Sequence, residues 1–346
     1  EKVVKKIAQE CGFKNVSLSS EILPLIKLVD RGQTTCLDAY LNLPIQKYLE
    51  GFKKDVSPLF VMQSDGGLVG ASKVSGCRSL LSGPAGGVVG YAQSVYAECG
   101  NRPVIGFDMG GTSTDVSRFG GEYEWSLEKE IAGVPVQVTQ LDILTVAAGG
   151  GSRLFFENGM FTVGPDSSGA YPGPVCYRNG GPLSLTDANL ILGRLPHFPK
   201  ILGENVDQAL DKEETRIAFE KLSEKVFHET GHKKSLEEIA HGFIEVANEN
   251  MCRPIHELST ARGFDVRNHV LSSFGGAGGQ HACSIARALG ITQVFVHRFA
   301  GILSAYGMGL ANITIEKQES VLIELEEAEE LIRRLDALAE SACEEL

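Results

Sequence analysis

Residues 104–119, Val-Ile-Gly-Phe-Asp-Met-Gly-Gly-Thr-Ser-Thr-Asp-Val-Ser-Arg-Phe, constrain the fold more than any other stretch. Val104 to Asp108 reads as a strand, Met109 to Thr114 as a turn, and Asp115 to Phe119 as a returning strand. Phosphate binding needs backbone N–H groups aimed at oxygen, and Gly110 and Gly111 let a chain approach that closely. Thr112, Ser113 and Thr114 add hydroxyl donors. Asp108 and Asp115 flank the loop, where a carboxylate can hold Mg2+ or Mn2+ through waters. A plain glycine-rich hairpin is the alternative, but it requires neither an Asp at each end nor three hydroxyl residues in a row.

A second glycine turn, Gly275-Gly276-Ala277-Gly278-Gly279, follows a strand expected over His269–Phe274 and opens a helix expected over Gln280–Leu289. Such a turn leaves free N–H groups at a positive dipole end, and a flat backbone surface for a purine ring. It is neither a Walker loop nor a GxGxxG motif, and a tight strand-to-helix crossover explains it equally well. Four other places carry paired readings. Ser82-Gly-Pro-Ala-Gly-Gly87 reads as close helix packing or a ligand-facing helix start. Ser64-Asp-Gly-Gly67 reads as a turn or a substrate-facing loop. His281 reads as a partly exposed helix residue, a polar contact or a proton carrier, and Cys176 near Asp187 as a buried thiol, a nucleophile or a metal ligand. Arg253, within a long helix, reads as a salt-bridge partner. No Ser-His-Asp triad or HExxH zinc site has a basis in the sequence.

Strands alternating with helices give an α/β class. Helix is expected over residues 36–52, 186–194, 213–226, 236–262 and 322–345, strand over 59–62, 134–140 and 293–297, and loop over 147–181. The 40 glycines cluster beside short apolar runs, which suits backbone bent around a ligand better than a flexible linker. A formal net charge of −12 argues against nucleic acid or an anionic membrane surface as the main partner. One anionic ligand stays compatible, because local backbone amides bind it against the overall charge. No run of about 18 apolar residues is present. The 8 cysteines are scattered without metal-ligand spacing, which fits a reduced, cytoplasmic setting. The start, Glu1-Lys-Val-Val-Lys-Lys6, reads as the inside of an amphipathic helix and so as part of a longer protein.

Phe107-Asp-Met-Gly-Gly-Thr-Ser-Thr-Asp-Val-Ser117 resembles the second phosphate motif of the hydantoinase A/oxoprolinase family. Ser82–Gly90, Val146–Arg153, Gly173–Tyr177, Leu185–Asn189, Cys252–Ile255 and Phe274–His281 are similar to further segments of that family, in family order. Val16–Glu21 and Ser152–Phe156 look most like its eukaryotic-type oxoprolinases. The resemblance implies an actin-like ATPase fold (sugar kinase, heat-shock chaperone and actin type, ribonuclease H-like), in which two related lobes close over nucleotide and of which this chain holds part. The expected division is part of a first lobe with a connecting segment over 1–100, an ATPase lobe with the phosphate hairpin and adenosine loop over 101–318, and an acidic helical segment over 319–346.

It further implies ATP with Mg2+ or Mn2+, and phosphorylation of an amide oxygen of 5-oxo-L-proline before water opens the ring to glutamate. Carried over by motif, residues 108–115 would hold the β- and γ-phosphates and metal, with Asp108 and Asp115 catalytic. Gly275, Gly276, Ala277 and Gly278 would face the adenosine. Two departures matter: only one Asp-x-Gly-Gly-Thr loop is present where the lobe pair has two, and the hydantoinase B-like companion region is absent. The implied partners are therefore that upstream lobe and downstream region, with a homo-oligomer at full length. A hydantoinase, a ketone carboxylase subunit and a non-catalytic nucleotide-binding module are the alternatives.

Overall fold

The computed structural model describes residues 1–52, 56, 58–131, 133–203, 205–324 and 328–346. Two compact units interleave along the chain. One comprises Glu1–Gly90, Tyr123–Asp142 and Ser304–Leu346, the other Tyr91–Glu122 and Ile143–Leu303. The linear division read from the sequence does not follow this interleaving. Among the described residues no helix is long and apolar enough to cross a membrane.

The second unit is built on five strands: β1 (Val104–Met109), β2 (Thr114–Phe119), β3 (Ile143–Val146), β4 (Val270–Phe274) and β5 (Val294–Phe295). Their order is β5-β4-β1-β2-β3. The four-residue link between β1 and β2 forces an antiparallel pair, and β3 is antiparallel to β2. β4 lies parallel to β1 and β5 parallel to β4, as strands reached through helical crossovers must. All five residues of β4 are buried, the pattern of a strand covered on both faces. On one face Ile105, Phe107, Met109 and Val116 share a core with Phe243, Ala247 and Met251 of the helix Leu236–Leu258. That helix starts where Ser235 and Glu238 exchange side-chain and backbone hydrogen bonds, and it buries residues at steps of three and four. On the other face Gly106 lies under Tyr91, whose hydroxyl meets Ser117 Oγ at 3.0 Å.

In the first unit Asp38 is almost fully buried and accepts hydrogen bonds from Ser17, Asn42, Ser75 and the Cys77 amide. The short strands Phe60–Met62 and Leu68–Gly70 form a hairpin closed by Ser64–Gly67. Ser64 ties this turn to its surroundings: its hydroxyl accepts from the Leu81 amide and its carbonyl from the Leu141 amide. Ser82–Gly87 is likewise a packing element. A β-carbon on Gly86 would lie 2.5 Å from the Ser304 carbonyl oxygen, and one on Gly307 1.9 Å from the Gly86 oxygen, so two helices touch through glycine.

Several expectations need correction. The stretch 147–181 contains a long hairpin, Ser152–Glu157 against Met160–Ser167. Its turn, Asn158-Gly159, has φ of 53° and 75°, the left-handed pair that a two-residue hairpin loop needs. The strand expected over 134–140 divides into Val134–Val136, paired with Lys129–Ile131, and Gln140–Leu141, paired with Trp125–Ser126. The helix expected from residue 36 begins at Leu28 and carries Pro44 inside it. The helix expected to reach 262 ends at Leu258, with a 3₁₀ turn Thr260–Arg262 after it. Gly278–Gln280 is a 3₁₀ turn before the helix Ala282–Leu289. Of the acidic helix at 322–345, Ala328–Glu345 is helical and residues 325–327 lie outside the described residues.

A β-carbon on Gly106 would sit 2.2 Å from Tyr91 Cε1, in a fully buried contact. Gly106→Ala should therefore cost about 1–3 kcal/mol of stability in urea denaturation, through overpacking. An unchanged midpoint would show that the helix over this face gives way freely.

Candidate functional site

The turn between β1 and β2 is closed by the Gly110 amide donating to the Ser113 carbonyl at 3.0 Å. It rests on the triple glycine at 149–151. The Gly150 and Gly151 amides donate to the carbonyls of Gly110 and Gly111 at 3.0 and 2.6 Å. In a planar trans peptide the N–H points opposite to the C=O. The amides of Gly111 and Thr112 are consequently turned away from the triple glycine, at the exposed tip of the turn. Successive amides turned the same way make a concavity for an anion. Gly149 has to be glycine, because a β-carbon there would lie 2.6 Å from backbone atoms of Gly111 and Thr112.

Asp108 and Asp115 are directly opposite in the β1–β2 register, and Thr145 of β3 is next in the row, so all three share one face. Thr145 donates its hydroxyl to Asp115 Oδ1 at 2.6 Å. Among the described residues no group of three or more His, Cys, Asp or Glu could hold a metal ion. A divalent ion at this pair would thus complete its shell from water and ligand oxygens, which suits Mg2+.

Thr114 departs from its expected role. It is fully buried, and its hydroxyl donates to the Ala148 carbonyl at 2.6 Å, anchoring the turn from below. Thr112 and Ser113 remain at the tip, exposed and half-buried.

The glycine turn after β4 docks on the end of β1. The Ala277 amide donates to the Met109 carbonyl at 2.9 Å. Gly275, at φ +81°, lies so close to Asp108 that a β-carbon would be 2.4 Å from its Oδ1. Gly278 is buried against Ser273, while Gly276 faces open space. Of the four residues expected at an adenosine, Gly276 and Ala277 line a cleft, and Gly275 and Gly278 serve packing.

That cleft has a volume of about 580 Å³. Gly110, Gly111 and Thr112 line it together with Gly150, Gly151 and Thr186. Gly276, Ala277 and Gln280 line it from the second glycine turn. Tyr177, Leu195, His197 and Phe198 also line it, and the sequence reading found none of these four as site residues. Only Tyr177 carried a signal, within the Gly173–Tyr177 segment.

The Hydantoinase/oxoprolinase family model matches residues 31–317. The chain belongs to that family. It is 53% identical to 5-oxoprolinase 1 of Arabidopsis thaliana over 99% of its own length, and spans 28% of that relative. Its fold is similar to the crystal structure of the ATP-dependent caprolactamase from Pseudomonas jessenii, with a TM-score of 0.79 and 28% identity, covering 97% of this chain and 50% of that one. It is also similar to a nucleotide-free acetone carboxylase structure, with a TM-score of 0.77 and 26% identity, covering 99% of this chain and 50% of that one.

Two side-chain groups beside the cleft of this family member prove structural. His281 is 1% exposed; its Nδ1 meets Asn248 Oδ1 at 2.8 Å and its Nε2 meets Asn189 Nδ2 at 3.1 Å. Burial, aided by Arg194, lowers its pKa to about 3, so it is neutral and not a proton carrier near neutrality. Asp187 accepts from the amides of Val175, Cys176 and Ser184 and from the Ser184 hydroxyl at 2.8–3.2 Å. Burial, with Asp187 beside it, pushes the Cys176 thiol far up, so no thiolate forms there.

His281 makes a pH prediction. Its folded pKa of about 3 lies below the unfolded value of 6.5, so the unfolded state takes up the proton first. Stability is then lost as pH falls from 6.5 toward 3, at about 1.4 kcal/mol per unit. Between pH 7 and 5 the wild-type protein should lose about 2 kcal/mol more than His281→Gln in urea titrations. Equal losses would mean that His281 is not held neutral.

Proposed function

We propose that this chain supplies one nucleotide-binding lobe of an ATP-dependent 5-oxoprolinase, which hydrolyses 5-oxo-L-proline to L-glutamate. The observation that carries this reading is the carboxylate pair Asp108 and Asp115 beneath a glycine tip, beside a cleft that Gly276 and Ala277 also line. The substrate rests on the 53% identity to the Arabidopsis 5-oxoprolinase. The order third, second, first, fourth and fifth strand, with only the second reversed, supports an actin-like, ribonuclease H-like lobe.

The chemistry follows from the lactam. Amide resonance makes its carbon a poor electrophile, and moving the γ-phosphoryl group of ATP onto the amide oxygen removes that resonance and makes the carbon electrophilic. ADP departs, one water replaces the ring nitrogen at the carbon, and a second takes up the phosphoryl group. The products are glutamate, ADP and phosphate. In-line phosphoryl transfer needs mainly positioning and charge neutralisation. The amides of Gly111 and Thr112 and the hydroxyls of Thr112 and Ser113 supply donors to the phosphates. A divalent ion, Mg2+ or Mn2+, held by Asp108 and Asp115 through waters would neutralise further phosphate charge. Thr145 keeps the Asp115 carboxylate in place for it.

The chain spans 28% of the Arabidopsis relative, which leaves room for an upstream lobe and a downstream hydantoinase B-like region in the whole protein. We assign the hydrolytic half-reaction to that downstream region. A homo-oligomeric, cytoplasmic protein belongs to the same reading. The likeness to acetone carboxylase keeps a ketone as the second substrate class.

In the full-length protein, 5-oxoproline should stimulate ATP hydrolysis and release glutamate. Asp108→Ala should lower both by about 100-fold or more, the scale of losing a transition-state charge partner. Stimulation by a ketone or a hydantoin in place of 5-oxoproline would move the substrate. The 346-residue chain alone should bind ATP weakly and release no glutamate, and sustained turnover by it would contradict the two-lobe reading.

A further inference from the structure

The cleft has two chemically different ends. One offers the glycine backbone and hydroxyls of residues 110–112, 150 and 151. The other offers the side chains of Tyr177, Leu195 and Phe198. These three are half-buried and pack against a satellite cluster of Cys176, Leu190 and Leu210, so each has one face held and another open to the cleft. The Tyr177 ring is pressed on the backbone at Gly173: φ there is +79°, and a β-carbon would lie 2.5 Å from Tyr177 Cδ2. The Tyr177 and Phe198 ring centroids are 6.4 Å apart with planes inclined by 38°. Core aromatics close over one another, whereas these two stop at an open space that Gly276 and Ala277 also line.

We propose that Tyr177, Leu195 and Phe198 form the nucleobase wall of the site, on which the planar ring of the nucleotide packs while its phosphates reach the 110–112 turn. This rests on the nucleotide reading above and adds the residues that recognise the base. A flat heteroaromatic ring suits the place on two counts. The wall is apolar and preorganised, so little side-chain freedom is lost on binding. The glycine turn also presents a peptide surface with no side chain at Gly276. Stacking of a base on an aromatic side chain contributes about 1–3 kcal/mol by alanine substitution, a factor of about 5–150 in affinity.

The test is calorimetric titration of the full-length protein with Mg-ATP, Mg-tripolyphosphate and adenosine. Phe198→Leu and Tyr177→Leu keep an apolar group on the cluster while removing the aromatic face. Both should weaken ATP and adenosine by about 10-fold or more and leave tripolyphosphate unchanged, and Tyr177→Phe should retain wild-type affinity. If ATP and tripolyphosphate weaken alike, or ATP is unaffected, the wall is merely structural and the inference falls while the phosphate site stands. If the wild-type protein binds neither ATP nor tripolyphosphate, the nucleotide reading itself falls, and this inference with it.

Discussion

At the end of β1 three chain segments far apart in sequence meet backbone to backbone. The 110–113 turn leans on the amides of Gly150 and Gly151, and the Met109 carbonyl takes the amide of Ala277. Gly275 closes over Asp108 with no space for a side chain. The close approaches at Gly149 and Gly275 depend on a missing β-carbon, and the rest of the site depends on this meeting of backbones. Because the two carbonyls at the tip are held from one side, the amides that follow them are turned to the other. A protein with a net charge of −12 can in this way present a local concavity for an anion.

The sheet decides which carboxylates can cooperate. Residues of a strand alternate between faces, and an antiparallel register places partners side by side. Asp108 and Asp115 end up paired because the strands run in register up to Met109 and Thr114. A one-residue slip of that register would put the two carboxylates on opposite faces. The same alternation sends Thr114 with Val116 into the core and Asp115 with Ser117 to the other side.

Val116 marks the inward face in the sequence and Thr114 shares it, yet a run of three hydroxyl residues read as three outward donors hid that alternation. The β1–β2 hairpin and the turn after β4 were legible because glycine and aspartate punctuate short apolar runs, and the information is local. β3 was not, because Ile143–Val146 follows Gln140–Leu141 closely and one apolar run serves two sheets. The hairpin over 152–167 was hidden by its glycines and prolines, although Asn158-Gly159 is a hairpin signal. The aromatic pair was hidden apart from the segment that carries Tyr177. Tyr177 ends a 3₁₀ turn and Phe198 lies in a loop beyond the next helix, and only the tertiary fold brings their rings to one cleft.

What brings them there is a polar device that looks local. Ser184 and Asp187 form a capping box that starts the helix Leu185–Ile191, and in sequence this reads only as a helix start. The Asp187 carboxylate also accepts from the amides of Val175 and Cys176, the two residues before Tyr177. One buried carboxylate therefore fixes both the helix that leads to Leu195 and Phe198 and the turn that carries Tyr177. Burial pushes its pKa above the ordinary value, and its bonds to four donors oppose that push. Four donors on one buried group leave few alternative arrangements, because any other would strand a polar atom away from water. The cost of burying Asp187 is thus offset by the hydrogen bonds it accepts, and the loop that they hold lets a small apolar cluster present a fixed face to the cleft.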